Sequence, residues 1–394
     1  MALLEIMVGI AAIIVMVPAS VLFIQVLMAM FPDKSRLSEQ AVRPRLAVVI
    51  PAHNEALMIA DTLRTVVPQL VAGDRLLVVA DNCTDKTAEI AAASGAEVIE
   101  RNDRERRGKG YALDFGVRHL EHSPPEVVIV VDADCQVDVG TIDRLARRCG
   151  KTVRPVQALY LMRAPEGAGL KMQIAEFAWL VKNQVRPLGN HRLGLPCQLG
   201  GTGMAFPWPG INNAALASGH IVEDLKLGID LARAGTPALF CPDARVTSCF
   251  PVTAEGVTSQ RTRWEHGHLG MILSVAPRLF LDALFRRDRD LLALALDLCV
   301  PPLALLLLLV LTVLVGSVVF FVATKLALPL WLAAMSLVML GLSILLSWGR
   351  YGRQVISLTS LAYAPFYAFG KVPLYLKFLI RRQTGWIRSR RDGD

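Results

Sequence analysis

The sequence predicts an α/β domain, built on a mostly parallel sheet, between membrane-spanning helices near the two ends of the chain. Long apolar runs lie near both ends, and a section of mixed charge lies between them. Within that section, short apolar strands alternate with helical segments, a pattern typical of parallel sheets covered by helices on both faces. The mean hydropathy of +0.44 and the hydrophobic content of 53% are high for a soluble protein.

The apolar runs predict three membrane-spanning helices. Residues 3–31 carry one charge, Glu5, and spanning a bilayer takes about 20 apolar residues. The run is too long for a signal-peptide core and ends without a small-residue cleavage pattern. We therefore predict a retained transmembrane helix over residues 1–32, and two more within residues 291–348.

The positive charge of the chain is concentrated beside these apolar runs. The net charge is +8, and basic loops stay on the cytoplasmic side of a membrane. We therefore expect an integral protein of the inner (cytoplasmic) membrane with its globular domain in the cytosol, and no nucleic-acid partner. The seven cysteines form no C-x-x-C pair, so neither a disulfide framework nor a zinc site is indicated. The basic residues concerned are Lys34, Arg36, Arg43, Arg45, Arg278, Arg286, Arg287, Arg289, Arg350, Arg353, Arg381, Arg382, Arg388, Arg390 and Arg391.

Polar residues follow the predicted strands at their carboxyl ends. Ligands of open α/β sheets bind outside these strand ends. The segments that fall there are Pro51–Glu55, Asp81–Asp85 and Asp132–Asp134. The strands are predicted over residues 46–50, 75–80, 96–100 and 127–131.

The stretch VVIVVDADCQV ends an apolar strand in two carboxylates, Asp132 and Asp134. Like charges at this spacing repel, and buried carboxylates resist ionisation. A divalent cation would neutralise the repulsion and hold a diphosphate. The alternatives are a solvated strand end or a helix N-cap pair.

Four motifs in this order carry a resemblance to a known family. They are PAHNE with ADNCTD, DAD, VED and Q-x-x-R-W, the last at Gln260–Trp264. Over residues 45–390 the chain resembles the membrane-embedded, inverting family 2 glycosyltransferases. These include the synthases of cellulose, hyaluronan and poly-N-acetylglucosamine, and the shorter exopolysaccharide and glycolipid enzymes. The resemblance implies a GT-A fold, with a Rossmann-like mixed sheet.

The resemblance implies a nucleotide pocket at the strand ends. Asp81 would meet the base and ribose, because a carboxylate accepts from their N–H and O–H groups; the alternative is a helix N-cap. Lys109 lies in a glycine-containing loop near the nucleotide, or is an ordinary solvated charge. The other residues expected at the nucleotide are Pro51, Ala52, Glu55, Asp132, Gln260 and Arg263.

The resemblance also assigns the chemistry. Asp132 and Asp134 would hold Mg²⁺ or Mn²⁺ on the diphosphate, with Asp134 the closer ligand. Asp224 would be the general base that deprotonates the acceptor hydroxyl, giving inversion. Val222 stands where the family has threonine, but both acids of the motif remain. Two acids at a helix start, favoured by the helix dipole, are the alternative.

The acceptor site is expected at the glycine-rich stretch CQLGGTGMAF and at the Q-x-x-R-W motif. The residues expected there are Gly201, Thr202, Gly203, Glu223 and Trp264. Glycine lets a sugar ring lie against the backbone, whereas a tight structural turn is the alternative. Trp264 offers a flat apolar face for a sugar ring, or anchors an interfacial helix.

These expectations define five segments and one function. The resemblance implies transfer of a sugar from a nucleotide sugar, by preference a UDP-sugar, to a lipid-linked or polysaccharide acceptor. Membrane lipid is an expected partner, and an oligomer is allowed. The alternatives are a processive polysaccharide synthase or a catalytically silent scaffold. The tail resembles a W-x-R-[TS]-x-R element at Trp386, Arg388 and Arg391. The segments are residues 1–32 (transmembrane), 44–255 (GT-A domain), 256–290 (amphipathic interface helices), 291–348 (two transmembrane helices) and 354–394 (re-entrant or interfacial segment and basic tail).

Overall fold

The structure is a computed structural model that describes residues 2–32 and 42–380. The expectations for Trp386, Arg388 and Arg391 lie outside the described residues. Two compact units share the described chain. The first, the helical unit, contains residues 2–32, 164–194 and 265–380; the second, the sheet unit, contains residues 42–163 and 195–264.

The sheet unit is built on eight strands in the order β3-β2-β1-β4-β7-β6-β8-β5. The strands are β1 (Leu46–Ala52), β2 (Arg75–Asp81), β3 (Glu97–Arg101), β4 (Val127–Val130), β5 (Gln136–Val137), β6 (Val156–Arg163), β7 (Met204–Pro207) and β8 (Leu239–Cys249). The helices of the chain are α1 (Ala2–Ala29), α2 (Ile59–Val66), α3 (Thr87–Ala93), α4 (Lys109–Leu120), α5 (Thr141–Thr152), α6 (Leu170–Leu180), α7 (Arg186–Arg192), α8 (Trp208–Asn212), α9 (Glu223–Arg233), α10 (Ala254–Ser274), α11 (Ala276–Arg286), α12 (Arg289–Leu298), α13 (Leu303–Thr324), α14 (Leu328–Ser347), α15 (Leu358–Leu361), α16 (Ala364–Phe369) and α17 (Val372–Ile380).

The four strands predicted from the sequence are confirmed, and they pair in parallel as β3-β2-β1-β4. The other four strands are mixed in direction: β6 pairs with β8 in parallel, whereas the remaining contacts are antiparallel. Strand β7 runs antiparallel to both β4 and β6, and β5 runs antiparallel to β8. The sheet is therefore mixed, as the GT-A resemblance implies. Strands as short as β5 and β7 leave little periodicity to read in a sequence.

The parallel half of the sheet is the core of its unit. Residues Leu46–Ile50 of β1 and all of β4 are almost wholly inaccessible to solvent, as expected for strands covered on both faces. Gly116 of α4 lies so close to the sheet that a Cβ there would be 2.9 Å from Val79 Cγ2. This close approach holds α4, which begins at Lys109, against β1 and β2.

Side-chain bonds fix the loops at the carboxyl ends of the strands. The backbone N–H of Glu55 donates to Thr87 Oγ1 at 2.8 Å, which joins the loop after β1 to the start of α3. The hydroxyl of Thr62 in α2 donates to the carbonyl of Ala133 at 2.8 Å. This hydrogen bond from α2 thus fixes the backbone of the D-A-D segment.

The helical unit contains the predicted transmembrane helices. Among the described residues, three helices are long and apolar enough to cross a membrane: Glu5–Ala29, Leu303–Thr324 and Leu328–Gly352. The bent pair formed by α10 and α11, with an angle of 44°, adds a fourth if it is one span. Residues 354–380 form the three short helices α15, α16 and α17. Their re-entrant or interfacial placement stays a prediction.

Residues 164–194 group with the helical unit although they interrupt the sheet unit in sequence. They form α6, a π-helical turn over Val181–Val185, and α7. The segment predicted as one domain over residues 44–255 is therefore divided between the two units. The composition of residues 164–194 does not indicate that they group with the helical unit, because α6 mixes apolar and polar residues as a soluble helix does.

A buried polar cluster joins α1, α7 and α12 within the helical unit. Arg186 donates from Nη2 to Asp297 Oδ1 at 2.7 Å and to the Asp297 carbonyl at 2.6 Å. Gln25 donates from Nε2 to Asp297 Oδ1 at 2.6 Å and to Asn190 Oδ1 at 3.1 Å, and its Oε1 accepts from Arg186 Nε. All four residues are at least 95% buried. The cluster ties the N-terminal helix to two others by charge-assisted hydrogen bonds.

Replacement of Arg186 should strongly destabilise the helical unit. In Arg186→Leu the Asp297 carboxylate stays buried without its cation, which typically costs about 3–5 kcal/mol. The double variant Arg186→Leu/Asp297→Leu should recover much of this loss. Thermal unfolding in detergent measures both. The control is Arg64→Leu, which breaks an exposed pair with Asp61 and should cost about 0–1 kcal/mol. Equal stabilities of Arg186→Leu and the control would contradict the role of the cluster.

Candidate active site

Lys109 is the first residue of α4, and its ammonium lies among carboxylates. Gly108, with φ of 130°, makes the turn into the helix, a conformation that favours glycine. Lys109 Nζ donates to Asp132 Oδ1 and, at 2.5 Å, to the carbonyl of Gly201. Burial acts to lower the pKa of Lys109, but neighbouring carboxylates, led by Asp132, outweigh it and the net shift is upward. The lysine is thus a fixed cation of the site and not the solvated loop charge.

The D-A-D segment leaves β4 and offers three donor atoms to one ion. A carboxylate oxygen of Asp132, one of Asp134 and the Sγ of Cys135 lie within 4.8 Å of one another. The two carboxylate oxygens are the hard ligands that Mg²⁺ and Mn²⁺ prefer, whereas a thiolate sulfur suits softer ions. Asp132 and Asp134 are partly exposed, whereas Cys135 is buried. The residues present therefore fit a divalent cation.

The loop before β7 is fastened to this segment. The backbone N–H of Asp132 donates to Thr202 Oγ1 at 3.0 Å, and Thr202 is fully buried. Gln157 of β6 donates from Nε2 to the Thr202 carbonyl at 2.9 Å and accepts from the Gly200 N–H at 2.8 Å. Thr202, expected at the acceptor, is therefore also a structural link between β4 and the loop before β7.

The two glycines of this loop have different surroundings. Gly201, with φ of 93°, lies beside the carboxylate of Asp224: a Cβ there would be 3.2 Å from Asp224 Oδ2 and 3.8 Å from Lys109 Nζ. Gly203, with φ of 63°, is packed against β6 and β8, and a Cβ there would be 2.8 Å from Ala158 Cβ. Gly201 thus faces the site, whereas the position of Gly203 matches the tight turn that was its alternative.

Glu223 and Asp224 begin α9, as the alternative interpretation of a helix start also expects. Burial, and then the adjacent Asp224 carboxylate, raise the pKa of Glu223 to about 7, while Lys109 and Arg263 act to lower it. Glu223 and Asp224 therefore belong to the same electrostatic cluster as Lys109.

Asp81 ends β2 and is 94% buried. Arg101 Nη1 donates to Asp81 Oδ1 at 2.7 Å, and Asn82 Nδ2 donates to the same oxygen at 2.9 Å. Burial raises the pKa of Asp81, although Arg101 opposes this shift. Asp81 lies before the helix start at Thr87 and its side chain caps no helix here. Pro51 and Ala52 end the neighbouring strand β1, and Glu55 follows in the loop.

The Q-x-x-R-W motif lies on α10, as the resemblance implies. Arg263 is close enough to Glu223 to act on its pKa. Gln260 is 91% buried, and its Oε1 accepts no hydrogen bond from the described part of the chain. A buried amide oxygen without a donor is costly unless a ligand supplies one. Trp264 is partly exposed on the same helix.

Three residues of the site were not predicted from the sequence: Arg101, Gln157 and Cys135. Arg101 and Gln157 act on partners 20 and 45 residues away, and no local pattern marks such pairs. Cys135 directly follows the D-A-D motif, so its proximity to the motif could have been predicted from the sequence. A lone cysteine after a strand, however, is usually a small apolar core residue.

Comparison with known proteins identifies the family. The family profile described as "Glycosyltransferase like family 2" matches residues 44–267. The chain belongs to this family. The prediction of a family 2 glycosyltransferase is thereby confirmed.

Several curated relatives match part of the chain, and two of them illustrate the extent of the match. The probable glycosyltransferase YdaM of Bacillus subtilis (strain 168) is 26% identical over 257 residues, which cover 60% of this chain and 58% of YdaM. An uncharacterized glycosyltransferase of Mycobacterium tuberculosis (strain ATCC 25618 / H37Rv) is 36% identical over 122 residues, 29% of this chain and 51% of the relative. The match thus spans between half and three fifths of the length of these relatives.

A solved structure shares the fold along most of the chain. The mannosyltransferase PcManGT from Pyrobaculum calidifontis, determined with GDP-Man and Mn²⁺, has a TM-score of 0.57 and 15% identity. The alignment covers 95% of this chain and 100% of PcManGT. The predicted combination of a mixed α/β sheet with candidate membrane helices is confirmed at the level of fold.

The raised pKa of Glu223 predicts a pH-dependent stability. The ordinary value of 4.5 rises to about 7 in the folded chain, so the folded state binds this proton more tightly than the unfolded state does. The contribution of Glu223 to the stability of the wild type should therefore fall as the pH rises from 4.5 towards 7. Glu223→Gln has no such proton, so its melting temperature relative to wild type should be higher at about pH 8 than at about pH 5, by about 2–4 °C for each kcal/mol relieved.

The matched control for this experiment is Glu105→Gln, at an exposed loop glutamate. Its melting temperature relative to wild type should stay constant over the same pH range. A pH-independent difference for Glu223→Gln would reject the assigned pKa shift.

Proposed function

We propose that the protein is an inverting, metal-dependent glycosyltransferase that moves a sugar from a nucleotide sugar to a lipid-linked or polysaccharide acceptor. One observation carries the proposal. Lys109, Asp132 and Asp224 converge on the short loop at Gly201 and Thr202, from three separate segments of the sheet unit. A cation, a metal-ligand carboxylate and a second carboxylate at one strand-end site fit the needs of sugar transfer from a diphosphate.

The metal would be Mg²⁺ or Mn²⁺, held by Asp132 and Asp134. Their oxygens suit either ion, and PcManGT was determined with Mn²⁺. The ion supplies neutralisation of the charge on the departing nucleoside diphosphate. Asp134 is the stronger ligand in this proposal, because the Asp132 carboxylate is also the partner of Lys109.

Asp224 is the proposed general base. Its carboxylate lies beside the Gly201 backbone, where the absence of a side chain leaves room for an acceptor hydroxyl. Proton removal by Asp224 would activate that oxygen for attack on the anomeric carbon from the side opposite the diphosphate, which inverts the configuration. Glu223 and Trp264 would complete the acceptor site with Gly201, and Thr202 and Gly203 would hold its shape.

The nucleotide would lie over the ends of β1 and β2. Asp81 would accept from the base and ribose, with the backbone of Pro51 and Ala52 and the side chain of Glu55 beside it. Gln260 Oε1, buried and without a donor among the described residues, would bind a ligand N–H or O–H. Arg263 would meet the diphosphate with its planar fork. UDP is the preferred nucleotide by resemblance to the family, whereas PcManGT was determined with GDP-Man.

The helical unit would place this chemistry at a membrane. Its three apolar helices and the basic residues beside them favour an inner-membrane protein with a cytosolic catalytic site. A lipid-linked acceptor then lies in the same membrane as the enzyme. Processive synthases build a polymer channel from more helices, so transfer of one or a few sugars is favoured here.

Asp224→Asn tests the assignment of the base. Transfer should fall by about 10²–10⁴-fold, while nucleotide affinity stays nearly unchanged because the carboxamide keeps the shape of the side chain. The assay follows release of UDP or GDP from a panel of nucleotide sugars with Mn²⁺ and a membrane-lipid extract, with mass analysis of the lipid product.

The control is Asp230→Asn on the same helix, where the carboxylate pairs with Lys226 at 2.5 Å at a partly exposed position. Its transfer rate should match that of the wild type. Equal losses of transfer and nucleotide affinity in Asp224→Asn would rule out its role as base. Absence of turnover by the wild type with every nucleotide sugar would favour the silent scaffold.

Asp134→Ala tests the metal site. Removal of this ligand should abolish the metal-dependent part of nucleotide binding, and chelation of the metal should do the same to the wild type. Isothermal titration with nucleotide, with Mn²⁺ and after chelation, measures both effects. Unchanged metal dependence in Asp134→Ala would remove Asp134 from the ligand set.

A further inference from the structure

The ammonium of Lys109 forms an ion pair with a carboxylate of the proposed metal site. Its Nζ donates to Asp132 Oδ1, and the carboxylate of Asp132 is one of the three donors that lie within 4.8 Å of one another. One aspartate therefore belongs both to an ion pair with lysine and to the group that would hold a divalent cation.

This ion pair is built into the fold. The Lys109 side chain is 83% buried. Lys109 is the first residue of a helix that follows Gly108, and its Nζ also donates to the carbonyl of Gly201 at 2.5 Å. That carbonyl belongs to the loop that Thr202 and Gln157 fasten to β4 and β6. The ammonium is thus directed at Asp132 by three segments of the chain, unlike the mobile end of a surface lysine.

Two cations compete for one carboxylate in this arrangement. A divalent ion that arrives alone must displace the ammonium from Asp132 or bind beside it, and both outcomes cost electrostatic free energy. An ammonium displaced from Asp132 loses its hydrogen-bonded anion in a largely buried site and keeps only the weaker interactions with Glu223 and Asp224, which costs electrostatic free energy. Metal without nucleotide should therefore bind poorly.

A nucleoside diphosphate removes this obstacle. Its phosphate oxygens offer the ammonium a new anionic partner at the same strand ends, while the Gly201 carbonyl can remain its second acceptor. The Asp132 carboxylate is then released to the metal. Asp224, beside Gly201 on the same side as Nζ, stays within the field of the lysine throughout.

We propose that Lys109 is an internal cation that holds Asp132 until metal and nucleoside diphosphate bind together, and so makes metal binding conditional on the nucleotide. The proposal rests on the proposed function and goes beyond a nucleotide contact for this lysine. By thermodynamic reciprocity, the factor by which nucleotide tightens the metal equals the factor by which metal tightens the nucleotide. The chain would thus avoid holding a metal in an empty donor site.

Lys109→Met separates this role from a nucleotide contact alone. With the ammonium gone, Asp132 no longer pairs with Lys109, so Mn²⁺ should bind more tightly in the absence of nucleotide, by at least about fivefold. In saturating UDP, and in a second titration with GDP, the variant should gain no such advantage, so the coupling factor shrinks. Electron paramagnetic resonance of free Mn²⁺, with full-length protein in detergent, gives all the dissociation constants without any transfer assay.

Three further variants make the experiment decisive. Lys109→Gln removes the charge but keeps N–H donors for Gly201 and Asp132, and should behave like Lys109→Met even if the latter folds poorly. Lys109→Arg keeps the charge and should bind Mn²⁺ alone as weakly as the wild type. Lys151→Met removes an equal charge from an exposed position of α5 and should leave every constant unchanged.

The outcomes distinguish the inference from the function on which it rests. Unchanged or weaker Mn²⁺ binding without nucleotide in both Lys109→Met and Lys109→Gln would overturn the role of Lys109, as would an equal gain in Lys151→Met. If the wild type binds no Mn²⁺ even with UDP or GDP, the proposed metal site itself fails, and the inference fails with it.

Discussion

The hydrogen bond from the Asp132 backbone to the buried Thr202 hydroxyl joins the two halves of the sheet at the site. Strand β4 belongs to the parallel half, and the loop that contains Thr202 leads into β7, which pairs antiparallel to β4. Through this bond and the bonds of Gln157, the Gly201 carbonyl is presented to Lys109 and the Gly201 backbone to Asp224. These hydrogen bonds therefore position the residues assigned to the metal, the diphosphate and the acceptor.

The sequence was sufficient for the features whose signals are local. Strands β1, β2 and β4 are continuous apolar runs because helices cover both of their faces, and their carboxyl ends meet at one edge wherever parallel strands pair. The sequence alone therefore places Asp81, Asp132 and Asp134 at that edge. Three candidate membrane-spanning helices followed from length and hydropathy alone.

What the sequence did not show depends on distant partners. The pairing of β6 with β8 begins at Val156 and Leu239, and neither segment alternates clearly enough to mark a strand. The link of Gln157 to Thr202 and that of Arg101 to Asp81 form only once the sheet is assembled. Residues 164–194 carry no linker composition, so their grouping with the helical unit also emerges only from packing.

The buried cluster around Gln25 bears on how the N-terminal helix can be treated in the laboratory. A helix that served as a plain anchor could be cut away to obtain a soluble enzyme. Here α1 supplies a glutamine to Arg186 and Asp297, and its backbone at Gln25 lies so close to Gly189 that a Cβ there would be 2.0 Å from the carbonyl oxygen. Truncation of α1 would remove Gln25 from the buried polar cluster and leave its partners without it. Solubilisation of the intact chain in detergent is therefore the sounder route to its biochemistry.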